Sequence, residues 1–190
     1  MAWRSEADTA PAPRSPGTLT PWLWGAVLAG CALFLTGTAR DYLLVAVMLF
    51  GPLCDPHWEH PPWRNRGTPW WWSAALGMGA VAIVVVRGTN ADFALSSVFT
   101  VALPEEWFFR GYFMERIGRG WKANAVASLV FAILHGITRG PEIAFKVFAP
   151  SLLFGWLYQR TRYLPLVIMV HGVSNLVYHV YLARLLRHLV

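Results

Sequence analysis

Seven apolar stretches follow one another along the 190-residue chain: Trp22 to Thr36, Tyr42 to Leu53, Trp70 to Val86, Ala91 to Leu103, Trp121 to Thr138, Ile143 to Tyr158 and Leu164 to Leu182. A helix needs roughly 20 mostly apolar residues to cross a bilayer, and several of these stretches approach that length. The pattern predicts an all-α, polytopic transmembrane helical bundle of about seven spans, with six to eight the permitted range. The second and fourth stretches are short. Gly51-Pro52 would end a tilted helix, and the fourth stretch would continue through Pro104 into the Glu105 region.

Residues 1 to 20 break the pattern. Pro11, Pro13 and Pro16 stand among Ser, Thr and Gly, with Arg4 and Arg14 beside Glu6 and Asp8, and no apolar periodicity. This is the composition of a disordered tail. Residues 21–190 then form a single transmembrane helical domain. A basic region directly before the first apolar stretch and a small-residue cleavage site, the marks of a signal peptide, are not evident.

Composition agrees with lipid as solvent: 56% of residues are hydrophobic and 14% charged, against about 25% charged in soluble domains. The net charge of +6 does not imply nucleic acid, because Lys and Arg are scattered between apolar stretches instead of clustered. They read as topology determinants. With seven spans, ten fall on the side of the N-terminus (positions 4, 14, 64, 66, 110, 116, 119, 122, 160 and 162) and six opposite, a balance that favours an inside N-terminus. Trp22, Trp24, Trp63, Trp70, Trp71, Trp72 and Trp121 sit at stretch ends as an aromatic belt. Cys31 and Cys54 support neither a disulfide, a metal nor a nucleophile.

The informative residues are the polar ones in apolar surroundings, since an ionised side chain at the bilayer centre costs about 2.5–3.5 kcal/mol on insertion scales. In Leu103-Pro104-Glu105-Glu106-Trp107-Phe108-Phe109-Arg110, Pro104 suits a first helical turn. Glu106 and Arg110 are four apart on one face, acid first, the favourable order for an ion pair, while Glu105 points about 100° away. An interfacial helix start would carry the same residues. The apolar and aromatic flanks instead place the carboxylates below the headgroups, where a desolvated Glu beside a second acid suits a base working near neutrality. His135 ends an apolar run with Phe131 a turn below it; a snorkelling His would look similar. His171 and Asn175 are four apart near the middle of the last stretch, a spacing also met in interhelical hydrogen bonding. His179 reads as interfacial. His57, Glu59 and His60, among Pro56, Pro61 and Pro62, read as a solvated loop and not as a metal site.

Taken together, Glu105-Glu106-x-x-x-Arg110, Phe131-x-x-x-His135 and His171-x-x-x-Asn175 resemble, in order and spacing, the CPBP family of CAAX proteases and bacteriocin-processing enzymes, also called the Abi family. The resemblance covers about residues 90–182, which would be the catalytic core. It implies a glutamic-type intramembrane endopeptidase in which Glu105 is general base, His135 assists it, His171 and Asn175 stabilise the oxyanion, and Glu106 with Arg110 organises the site. The implied substrate is a membrane-associated protein or peptide: a lipidated C-terminal tail, a bacteriocin leader or a C-terminal sorting anchor. The implied location is a bacterial inner membrane. No cofactor is expected. The chain is compact for the family, so part of the usual N-terminal scaffold is expected to be missing.

Three other readings compete. In a zinc peptidase, Glu105, His135 and His171 would be the ligands, although no HExxH helix is present. A proton-coupled transporter would use the same ionisable groups as a relay, but inverted repeats are not evident. A membrane scaffold would not need every polar residue intact. A serine mechanism lacks GxSxG, and Asp8, Asp41, Asp55 and Asp92 lie outside the mid-membrane stretches.

Overall fold

A computed structural model describes residues 19–58, 70–87 and 90–182. The expected tail therefore lies almost wholly outside the described residues, as do Glu59, His60 and Trp63. Among the described residues seven helices follow one another: α1 (Thr20–Phe34), α2 (Gly37–Phe50) with a 3-10 turn (Gly51–Cys54), α3 (Trp71–Arg87), α4 (residues 91–117), α5 (Trp121–Arg139), α6 (Pro141–Thr161) and α7 (Leu164–Val177), which continues as a π turn (Tyr178–Leu182). No strand occurs among the described residues, and the fold is an all-α helical bundle.

Three segments are long and apolar enough to cross a membrane, Gly37–Cys54, Trp121–Arg139 and Leu164–Tyr181, and two shorter apolar helices accompany them. The other two helices carry charge. In α6 it lies at the two ends, on Glu142, Lys146 and Arg160, whereas in α4 it lies in the middle and turns inward.

The fourth apolar stretch does run on through Pro104, as its length required. Pro104 does not open a helix, however. The N-cap of α4 is Asn90, whose side chain accepts from the Asp92 amide at 2.8 Å, and Pro104 lies in the helix interior. An interior proline removes one backbone bond and crowds the preceding turn. Here π turns at Ser97–Ala102 and Trp107–Met114 flank the single α turn Leu103–Glu106, so the irregular stretch spans the proline and both glutamates. Such π segments are frequent at functional sites. Far from a helix N-terminus, the two acids gain nothing from a helix dipole, which removes the interfacial-cap alternative.

α4 is also the spine of the core. Phe108, Phe109, Tyr112, Phe113 and Met114 are fully buried, against Leu28 of α1, Met48 of α2, Ala127 and Phe131 of α5 and Phe154 of α6. Two close approaches set the neighbouring helices. A Cβ on Gly155 would lie 1.8 Å from Asn124 Oδ1, and the Asn124 amide donates to the Leu152 carbonyl at 2.9 Å, which joins α5 to α6. A Cβ on Gly172 would lie 2.7 Å from a Val98 methyl, so glycine there lets α7 approach the first π turn of α4.

Trp22, Trp70, Trp71, Trp72 and Trp121 are exposed at helix ends, in keeping with an aromatic belt. Trp58 is different. It is buried and donates to the Gly111 carbonyl at 3.0 Å, tying the segment after α2 onto α4. Trp107 donates to the Leu49 carbonyl at 3.2 Å, one of the last of α2, where helix geometry leaves carbonyls short of partners.

Candidate active site

The middle of α4 delivers both carboxylates to the interior, with Glu105 8% and Glu106 0% exposed. Glu106 is held from two sides. Arg110 approaches it at 3.2 Å through both Nε and Nη1, and His171 Nδ1 lies 2.7 Å from its Oε1. The expected Glu106–Arg110 pair is therefore formed and fully buried. Arg110 spends its remaining donor, Nη2, on the Ser151 carbonyl and hydroxyl of α6, both at 2.8 Å.

Glu105 is held much more loosely. Its Oε1 is 3.8 Å from His135 Nε2 and its Oε2 3.7 Å from His171 Nε2, both beyond hydrogen-bond length, and the buried Oε2 has no hydrogen-bond partner. The two imidazoles thus flank one carboxylate without closing on it. Each ring is oriented by packing and by its other nitrogen. His135 sits over Phe131 with centroids 4.2 Å apart and its Nδ1 3.1 Å from the Phe131 carbonyl. His171 stacks on Phe154 at 4.8 Å. The Nδ1–carbonyl contact requires a proton on Nδ1 of His135, so Nε2 is the nitrogen turned toward Glu105.

A cavity of about 110 Å³ opens on this site. Glu105 and His135 line it together with Phe109, Phe131 and Leu134, and α1 and α2 supply the apolar far wall through Leu28, Ala32, Leu44 and Met48. Arg40, Asp41, Thr138 and Arg139 complete the lining. Glu106, Arg110, His171 and Asn175 are not part of the lining.

Of the six residues expected from sequence, Glu105, Glu106, Arg110, His135 and His171 come together in one cluster. Asn175 lies one turn beyond His171, half-buried and with no side-chain hydrogen bond among the described residues. Sequence reasoning missed Ser151, whose only signal is a small hydroxyl after Pro150 inside an apolar helix. It also took Asp55 for a loop acid. Asp55 is 3% exposed and accepts from Arg116 Nε at 3.0 Å, the Tyr112 hydroxyl at 3.2 Å and the His57 amide at 3.0 Å, while the His57 side chain is exposed as expected. A third ion pair joins Glu115 to Arg162 beyond the end of α6. Burial alone would lower the Arg162 guanidinium, yet the Glu115 carboxylate outweighs it and holds it above its ordinary pKa. His179, exposed on the π turn, lies against Phe93 with centroids 4.2 Å apart. Among the described residues, no group of three or more His, Cys, Asp or Glu side chains is disposed to hold a metal ion.

An all-α bundle that keeps two glutamates, an arginine and two histidines in its interior beside a cavity defines a class: a membrane helical protein with an acid–imidazole site. Residues 87–177 match the family model described as Rce1-like, type II CAAX prenyl endopeptidase, in agreement with the CPBP resemblance. All six expected site residues fall inside it. The family is one of CAAX-type intramembrane peptidases, whose substrates are membrane-associated peptides. No curated protein matches the chain, and neither does any solved structure.

Proposed function

We propose that the protein is a glutamic-type intramembrane endopeptidase that hydrolyses a peptide bond in a membrane-associated protein or peptide, with Glu105 and His135 activating the water. The observation that carries this reading is the asymmetry of the two acids: Glu106 is locked by Arg110 and His171 away from the cavity, whereas Glu105 lines the cavity and meets its two imidazoles only at 3.7–3.8 Å. Glu105 Oε1 and His135 Nε2, at 3.8 Å, are too far apart to bond directly and close enough for one water to bond both. A substrate carbonyl in the cavity would meet that water. Glu105 takes its proton as the oxygen attacks, and can return it to the leaving nitrogen as the tetrahedral intermediate collapses.

His171 bridges the acids, with Nδ1 on Glu106 and Nε2 toward Glu105, which supports a role in holding Glu105 in place. The oxyanion role that the resemblance gives His171 and Asn175 requires the substrate carbonyl to reach past Glu105, since neither residue lines the cavity. A positioned base typically contributes about 10²–10⁴ in rate. Glu105→Gln should therefore abolish cleavage of a lipidated peptide in proteoliposomes while the protein still inserts. Substantial proteolysis by that variant would sink the mechanism. Inhibition by a chelator with recovery on adding zinc would instead make Glu105, His135 and His171 metal ligands.

A further inference from the structure

The charged residues of the lining are not equivalent. Arg40 is neutralised by its neighbour Asp41, Nη2 to Oδ1 at 2.9 Å. The Thr138 hydroxyl is turned back onto the Leu134 carbonyl at 3.0 Å. Arg139 is exposed on the last turn of α5 and has no carboxylate partner among the described residues. It is the uncommitted cation of the lining, and it stands four residues beyond His135 on the same helix, about 6 Å along the axis. Apart from Glu105 and His135, the rest of the lining is apolar and includes Phe109, Phe131 and Leu134 of α4 and α5 and Leu44 and Met48 of α2.

An occupant that matches such a lining is largely apolar and carries an anionic group. An extended chain advances about 3.3 Å per residue, so a carboxylate at Arg139 places a carbonyl only a few residues upstream beside Glu105. We infer that Arg139 binds the C-terminal carboxylate of the substrate chain, and so sets the distance of the cleaved bond from the chain end. The inference rests on the endopeptidase reading of Glu105 and His135, and it adds that an amidated or extended C-terminus is a poor substrate. A guanidinium–carboxylate contact is charge-assisted and, with Arg, commonly two-pronged, which gives direction as well as affinity.

Binding to the silenced Glu105→Gln protein in lipid nanodiscs tests this without catalysis. The probe is a dansylated, S-farnesylated tetrapeptide ending in three aliphatic residues, made as the free acid and as the C-terminal amide. The acid should bind at least about tenfold more tightly than the amide, as a hydrogen-bonded charge pair would require. Adding Arg139→Gln should remove that difference, and Arg139→Lys should keep part of it. Equal binding of acid and amide, failure to bind either, or a preference that survives Arg139→Gln each overturns the inference. Lipid phosphate is the rival anion: if replacing zwitterionic by anionic lipid removes the acid preference, Arg139 serves the bilayer and the inference fails. Retained acid preference with no cleavage of the acid peptide by the unsubstituted protein breaks the endopeptidase reading alone.

Discussion

Helix α4 buries two acid clusters little more than a turn apart, and they are built to opposite ends. In one, Asp55 is saturated: Arg116, the Tyr112 hydroxyl and the His57 amide all donate to it. In the other, Glu106 is paired with Arg110 and His171, although its buried Oε2 carries no hydrogen bond, whereas Glu105 beside it meets only two imidazoles at 3.7–3.8 Å and lines a cavity. A buried charge with every lone pair satisfied is a structural joint, whose loss is read in stability. A buried charge left short of partners is tolerated only where something else is meant to bind there, because desolvation without compensation is expensive. The comparison separates Glu105 from the other buried acids, although all are ionisable groups in apolar surroundings.

The sharpest way to break that comparison is to exchange the two effects. Glu105→Gln should lower cleavage by about 10²–10⁴ while leaving the melting temperature close to that of the unsubstituted protein in the same detergent. Unfolding of Glu105→Gln would show that Glu105 is a structural joint after all. Arg110→Met should do the reverse at larger structural scale, since it strands Glu106 and the Ser151 groups; removing one partner of a buried pair costs about 3–5 kcal/mol. Thermal unfolding of the purified protein would read it, and an Arg110→Met protein as stable as its parent would contradict the buried pairing.

Asp55→Asn ranks next. It keeps the shape and loses the charge opposite Arg116, for about 1–3 kcal/mol of destabilisation with the cleavage rate per folded molecule unchanged. A selective loss of rate with normal stability would join Asp55 to the active site. Ser151→Ala is the mildest. The Ser151 carbonyl still accepts from Arg110, so about 1 kcal/mol of stability is expected to go, with a small fall in rate as the Glu106 side of the site loosens. A rate loss as large as that of Glu105→Gln would show Ser151 acting on substrate.

Much of this was readable in the residues because it is local. The apolar stretches become helices, and the i, i+4 pair Glu106–Arg110 forms as its spacing requires even though the turn that carries it is π and not α. The continuation of the fourth stretch past Pro104 was likewise anticipated. What local reasoning misjudged depends on partners far away in sequence. Pro104 looked like a helix start because prolines favour first turns, and the flanking π turns that let it lie in an interior are not encoded by any residue near it. Asp55 looked like a loop acid because its partners, Tyr112 and Arg116, are on another helix. Arg110 was counted among topology-setting cations and is 1% exposed inside the protein.

The sequence by itself determined that the chain is an all-α bundle suited to lipid, and it singled out the ionisable residues that the fold gathers in one interior cluster. Periodicity and composition act over a few residues, and helices in lipid must satisfy their own backbone, so these conclusions need no knowledge of packing. Only the tertiary structure decided how the residues divide the work. Helical spacing already paired Glu106 with Arg110 and left Glu105 aside, but that His171 also closes on Glu106, that Ser151 holds Arg110 and that α1 and α2 leave a cavity beside Glu105 depends on where these elements meet. Those are matters of distance between elements, which no spacing along one element contains.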